Sequence, residues 1–138
     1  MKKASVLFEE INHTLKVLRS PKGCKWDRAQ THESLIKNLK EESQEVINAI
    51  KNKDDENLCE ELGDLLLQVL FHTHIAQEQK RFTLAQVING LNKKLIRRHP
   101  HVFGNKKAST PEEALAMWKA AKVKEKALKA RKKLSKNK

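Results

Sequence analysis

Apolar residues recur along the chain at helical rather than strand spacing. Val6, Leu7, Ile11, Leu15 and Leu18 mark a first amphipathic helix that stops before Ser20-Pro21-Lys22-Gly23. A polar loop is expected through Trp26-Asp27. Leu35, Leu39, Val46 and Ala49 give a second helix that ends near Asn52-Lys53-Asp54. The third is the most apolar, with Leu58, Leu62, Leu65, Leu66, Val69 and Leu70, and runs towards Glu78. Thr83-Leu84-Ala85-Gln86 has the form of a capping box for a fourth helix carrying Leu84, Val87, Ile88, Leu91 and Leu95, which Pro100 should end. Gly104-Asn105 opens a loop. Thr110-Pro111-Glu112-Glu113 then supplies an N-cap, a first-turn proline and acids suited to the helix dipole. No stretch alternates as a strand would. The pattern predicts an all-α fold.

Composition narrows this picture. The chain has 138 residues and 38% apolar residues, so it can build one modest core, best completed by a second subunit. No apolar run approaches the roughly 20 residues needed to cross a bilayer. Met1-Lys2-Lys3 is not followed by the apolar stretch of a signal peptide, so a cytoplasmic location is expected. Cys24 and Cys59 have no CxxC spacing and read as reduced thiols. His99 and His101 flank Pro100 and should shape that turn, and the histidines make no metal-ligand pattern.

The net charge of +12 is concentrated at one end. Residues 119–138 hold ten Lys/Arg and one acid, Glu125. The other 118 residues are nearly balanced, with nineteen basic side chains and sixteen acidic ones. The run Lys129-Ala130-Arg131-Lys132-Lys133 offers charge for nucleic-acid phosphates, but no aromatic residue beyond Trp118 could stack on bases. A solvated helix end passing into a tail is the favoured reading of this segment.

The informative departure is where the acids fall. In the stripe Leu35, Leu39, Glu42, Val46, Ala49, position 42 should be apolar and is Glu. Glu45 lies one turn along beside it, and Glu41 precedes Glu45 by four residues. On the third helix Glu61 and Asp64 are also three apart, flanking Leu62 and Leu65. If these faces pack together, four carboxylates meet and must either take up protons or bind a cation. With no matching His or Cys, the oxygen-only set suits Mg2+ or Mn2+. Surface ion pairing on a lysine-rich helix is the other reading that spacing alone allows.

With both pairs placed, the sequence resembles the MazG family of nucleoside triphosphate pyrophosphohydrolases. Glu41-Glu42-Ser43-Gln44-Glu45 and Glu61-Leu62-Gly63-Asp64 match its EExxE and ExxD elements. Gly23-Cys24-Lys25-Trp26-Asp27 with Gln30-Thr31-His32 is similar to its GCPWD…QTH segment, with Lys25 where the family has proline. Lys94 through Gly104 (KLIRRHPHVFG) and Trp118 with Lys122 match further on. The resemblance spans roughly residues 18–122. It implies an all-α NTP-pyrophosphatase bundle over 1–122, completed as a homodimer or homotetramer, with 123–138 as a basic helix end and tail.

The resemblance further implies hydrolysis of an NTP or dNTP between the α- and β-phosphates, giving the monophosphate and pyrophosphate. Mg2+, with Mn2+ as a substitute, would sit on Glu42, Glu45, Glu61 and Asp64, with Glu41 and Glu60 assisting water or supporting the ligands. Lys94, Arg97, Arg98 and Lys122 would hold phosphate, and Trp26 and Trp118 would stack on the base or cover the site. Lys94 and Arg98 share one face of their helix, and Arg97 points elsewhere on the turn. The alternatives are a catalytically silent helical interaction domain and a nucleic-acid-binding module that uses the basic tail.

Overall fold

A computed structural model of the chain describes residues 1–136. Among these the secondary structure is helical throughout: α1 Ala4–Leu18, α2 Lys25–Ala29, α3 Ile36–Lys51, α4 Asp55–Glu78, α5 Leu84–Arg97, α6 Pro100–Phe103 and α7 Pro111–Lys136. The chain divides into two units, the first ending at Ala85 and the second beginning at Gln86.

In the first unit α3 and α4 form a helical hairpin, and α1 packs on α4. The turn between α3 and α4 is short because both of its ends are capped. Asp54 N–H donates to Ala49 O and Lys53 N–H to Ile50 O, the paired bonds of a Schellman ending, with Lys53 in the left-handed region at φ 52°. Asp54 then accepts from Asn57 N–H and starts α4. The same ending recurs after α4, where Lys80 has φ 57° and Arg81 N–H donates to Ala76 O.

The core is Leu15, Leu35, Leu70, Phe71 and Ile75, with Phe8, Leu67 and Leu84 packed against it. It lies further along α4 than the leucine pattern suggests: the buried stretch runs from Gln68 to Ala76, whereas Leu62, Leu66 and Val69 are 39–49% exposed. Apolar periodicity identifies a face to be covered, and among the described residues this row stays largely exposed.

The expected polar loop at Trp26-Asp27 is instead the short helix α2. Gly23 makes its approach possible. A Cβ there would meet Val17 O at 2.2 Å and Leu18 O at 2.3 Å, so only glycine lets the chain double back against the end of α1. Lys25 occupies the first helical position, where the family's proline would also be favoured. Arg19, 8% exposed, then fixes α2: Nη1 donates to Asp27 O at 2.6 Å, and Nε donates to Glu78 Oε2 at 2.7 Å. Its guanidinium lies 5.2 Å over the Phe71 ring.

In the second unit α5 stops at Arg97. Pro100 does not merely end it; proline stands at the start of α6, where its missing N–H costs nothing. Thr110 caps α7 by accepting from Glu113 N–H, and Glu113 in turn accepts from Ser109 N–H. From there α7 continues unbroken to Lys136, past the point where a fraying end is expected. After Pro111 it contains no Gly or Pro and is rich in Ala, Lys and Leu, the strongest helix formers. Residues 137 and 138 of the expected tail lie outside the described residues.

Candidate active site

The hairpin places two acidic pairs level with one another. Glu45 and Glu61 each lie eight residues from Lys53, and Glu42 and Asp64 each lie eleven, so in antiparallel helices of equal rise each pair is carried about 12 and about 16 Å from the turn. A carboxylate oxygen from each of Glu42, Glu45, Glu61 and Asp64 falls within 4.8 Å of all the others. Glu42, Glu61 and Asp64 are half-buried and Glu45 is exposed.

The electrostatics of this group are unbalanced. Glu42 Oε2 and Glu61 Oε2 are buried with no hydrogen-bond partner. Burial, followed by the charges of Glu45 and Asp64, raises the Glu42 carboxyl above its ordinary value. Glu61 is pushed up to about 7, first by hydrogen bonding with Glu45, then by burial and by the neighbouring charges. Orphaned oxygens and carboxyls that resist ionisation are what an all-oxygen cation site shows without its ion, and the donor set suits a hard divalent metal. The flanking acids differ. Glu41 is exposed, with Lys37 Nζ at 3.9 Å, and Glu60 is exposed beside Glu61. Trp26 is 56% exposed on α2.

The second unit gathers a different set. Arg97 and Arg98 do not diverge as their spacing suggests; both reach Glu125 on α7. Arg98 donates to Glu125 Oε2 from Nε at 3.0 Å and from Nη2 at 2.7 Å, and Arg97 Nε donates to Oε1. Long guanidinium side chains at a helix end can swing towards one anion, which helical angle alone does not foresee. Glu125 is held down to about 2, first by Arg98 and then by Arg97. Trp118 is half-buried, with Arg98 4.7 Å over its ring and His99 against it edge-on at 5.4 Å. Lys94 and Lys122 are exposed.

The contacts of four further residues are not visible in the sequence. Arg19 and Glu125 carry no motif, and only their distant partners reveal them. His32 and His72 stack with ring centroids 5.0 Å apart and an Nδ1–Nδ1 contact of 2.7 Å, tying the segment that precedes α3 to α4. Burial and the adjacent His32 lower the pKa of His72. Their separation of forty positions hides that pairing.

Comparison with known proteins agrees with this geometry. Residues 30–103 match the model of the MazG nucleotide pyrophosphohydrolase domain. The chain is 53% identical over 126 residues to the nucleoside triphosphate pyrophosphohydrolase/pyrophosphatase MazG of Thermotoga maritima, a match covering 91% of this chain and 48% of that protein. It is 44% identical over 114 residues to the nucleoside triphosphate pyrophosphohydrolase of Escherichia coli, covering 82% and 43%. The chain thus spans about half the length of the curated relatives it matches. The crystal structure of a mazG-related protein from Thermotoga maritima superposes with a TM-score of 0.68 at 32% identity, covering 83% of this chain and 98% of that one. With fold, residue order and acidic hairpin all in agreement, the chain belongs to the MazG nucleotide pyrophosphohydrolase family.

Proposed function

We propose that this chain hydrolyses nucleoside triphosphates, ribo or deoxy, between the α- and β-phosphates, releasing the monophosphate and pyrophosphate. The observation that carries the reading is the convergence of Glu42, Glu45, Glu61 and Asp64, with buried, unpartnered oxygens on two of them. These four would hold Mg2+, or Mn2+ in its place. The ion would supply positive charge against the triphosphate and Lewis acidity towards the attacking water. Glu41 and Glu60, each next in sequence to one of these residues, would orient that water or support the ligands.

Arg97 and Arg98 would bind phosphate oxygens. Their shared grip on Glu125 supports this, since a carboxylate and a phosphate present similar paired acceptors to a guanidinium fork. Lys94 and Lys122 would add charge, and Trp26 and Trp118 would meet the base. The proposed catalytic domain is 1–122, with 123–138 as a basic extension. A homodimer or homotetramer fits the exposed row Leu62, Leu66 and Val69 on α4. No helix among the described residues is long and apolar enough to cross a membrane. A cytoplasmic location goes with a nucleotide substrate.

Ion-exchange analysis of products from a panel of NTPs and dNTPs, with Mg2+ and with EDTA, tests the reaction. Monophosphate and pyrophosphate, abolished by EDTA, are expected. Diphosphate would place the attack at the wrong phosphorus and overturn the assignment. In sedimentation, Leu66→Glu should shift the assembly to monomer; an unchanged mass would remove the α4 row from the interface.

A further inference from the structure

The two units differ in charge as well as in fold. Up to Ala85 the chain has thirteen Lys/Arg and fourteen Asp/Glu; from Gln86 onward it has sixteen against three. Much of the second unit's excess lies on α7 in a regular order. Lysines stand at 119, 122, 126, 129, 133 and 136, in alternating steps of three and four. Because α7 is continuous from Pro111 to Lys136, these six fall on one face about 100° wide and about 26 Å long. All six are exposed, and among the described residues none of them enters an ion pair. Like charges at this spacing repel one another and destabilise the helix unless an anion is supplied.

The stripe borders the side of α7 on which Trp118 and Glu125 meet Arg98 and Arg97, but its six lysine side chains stay exposed beside those contacts. Met117, Ala120, Ala121 and Leu128 line a cavity of about 770 Å³, roughly 150° round the helix from the lysines. Exposed and without ion pairs among the described residues, the lysines are available to an external partner. A membrane surface fits poorly, because a helix lying in a bilayer interface sets a band of Trp, Phe or Leu opposite its cations. Beyond Trp118, α7 has only Val123, Leu128 and Leu134 as large apolar residues, and Leu128 lies about 120° from Leu134. A single-stranded nucleic acid would want aromatic stacking platforms, and none follows Trp118.

What complements a dense row of cations without aromatic or apolar partners is a surface of closely spaced phosphates. Over about 26 Å of axis a DNA duplex carries roughly fifteen on its two wound strands, of which a helix laid on one side can reach about five or six. We propose that the lysine stripe of α7 is a docking surface for the phosphodiester backbone of a nucleic-acid duplex, bound without readout of the bases. This adds a binding function that shares only Lys122 with the proposed nucleotide site, lies otherwise outside the carboxylates and does not depend on hydrolysis.

Fluorescence anisotropy of the full chain with a labelled 20-base-pair DNA duplex, between 50 and 200 mM KCl, tests it. Five or six phosphate contacts give an expected slope of log affinity against log salt of about −5. The triple change Lys126→Gln, Lys129→Gln, Lys133→Gln should make the slope shallower by about 3 and weaken binding at least tenfold at about 50 mM salt. The charge-matched triple Lys124→Gln, Arg131→Gln, Lys132→Gln, on other faces of α7, should weaken it less than about threefold. Glutamine keeps helix propensity close to lysine, and circular dichroism checks that α7 persists in both. Equal losses in the two variants would mean binding by net charge and overturn the stripe as a site. So would absence of duplex binding, or binding confined to phosphatidylserine vesicles. A duplex of RNA and a single strand of the same length complete the panel; tighter binding to the single strand would also refute the assignment. Nucleotide hydrolysis is read separately, so failure here leaves the carboxylate site standing.

Discussion

Two carboxyl groups in this chain sit at opposite electrostatic extremes. Glu61, on α4, faces three other acids and no cation, and its pKa is pushed up to about 7. Glu125, on α7, faces two guanidinium groups, and its pKa is held down to about 2. The side chain is the same, so the difference lies in what the fold brings against it. A carboxylate that has its counter-ions within the chain has its charge met by the fold. A cluster without them has its charge left unmet, and the missing charge must arrive as protons or as a ligand.

The largest expected effect comes from removing charge at the unmet cluster. Glu42→Gln or Asp64→Asn should reduce hydrolysis by on the order of 100-fold or more, with helicity unchanged, while either change leaves the metal-free fold as stable or more so. Steady-state kinetics beside thermal melting separates these outcomes, and near-normal turnover would strip that residue of its role. Equivalent neutralisation at Glu125 should do the reverse to stability.

Next in size is the response to pH and metal. Glu61 binds its proton more tightly folded than unfolded, so its contribution is present below the unfolded value near 4.5 and is lost as pH rises to about 7. Melting temperature without metal should carry that downward component across this window. Mg2+ binds the ionised acids, so the rise in melting temperature it produces should grow over the same range. A Mg2+ effect that is flat between pH 5 and 8 would mean that the ion binds elsewhere.

Smaller again is Glu125→Gln. The depressed pKa of Glu125 gives a contribution present above the unfolded value near 4.5 and lost as pH falls towards about 2. The variant should therefore melt a few degrees lower at neutral pH and converge with the parent in strong acid. Parallel curves at all pH values would show that the Arg97–Arg98–Glu125 joint does not supply the difference.

The smallest change touches neither carboxyl but the turn that brings Glu45 and Glu61 level. Lys53 sits at φ 52°, where a side chain is strained, so Lys53→Gly should stabilise the first unit by about 1 kcal/mol in denaturant unfolding. Destabilisation would mean that the lysine side chain contributes contacts that outweigh the strain.

Much of this architecture is legible in the sequence because helices are local. The three- and four-residue rhythm of Leu35, Leu39, Val46 and Ala49 marks α3, and the Thr110–Glu113 cap marks the start of α7. A glutamate at 42, in a place the rhythm reserves for an apolar side chain, singles out the position that converges with three other acids. The equal counts from Lys53 to Glu45 and Glu61, and to Glu42 and Asp64, are fixed once a hairpin is granted. The sequence also sets the lysine spacing on α7, though only an unbroken helix turns it into one face.

Contacts between distant residues were decided by tertiary structure. Arg19 reaches Asp27 and Glu78, His32 stacks on His72, and Arg97 and Arg98 close on Glu125, each across a sequence gap that no period encodes. Pattern likewise marked Leu62, Leu66 and Val69 as apolar but could not say that one chain leaves them exposed. The physical reason is the range of the forces involved. Backbone hydrogen bonding and side-chain period act within a few residues, whereas burial and charge pairing act on whatever the packed helices bring within a few ångströms.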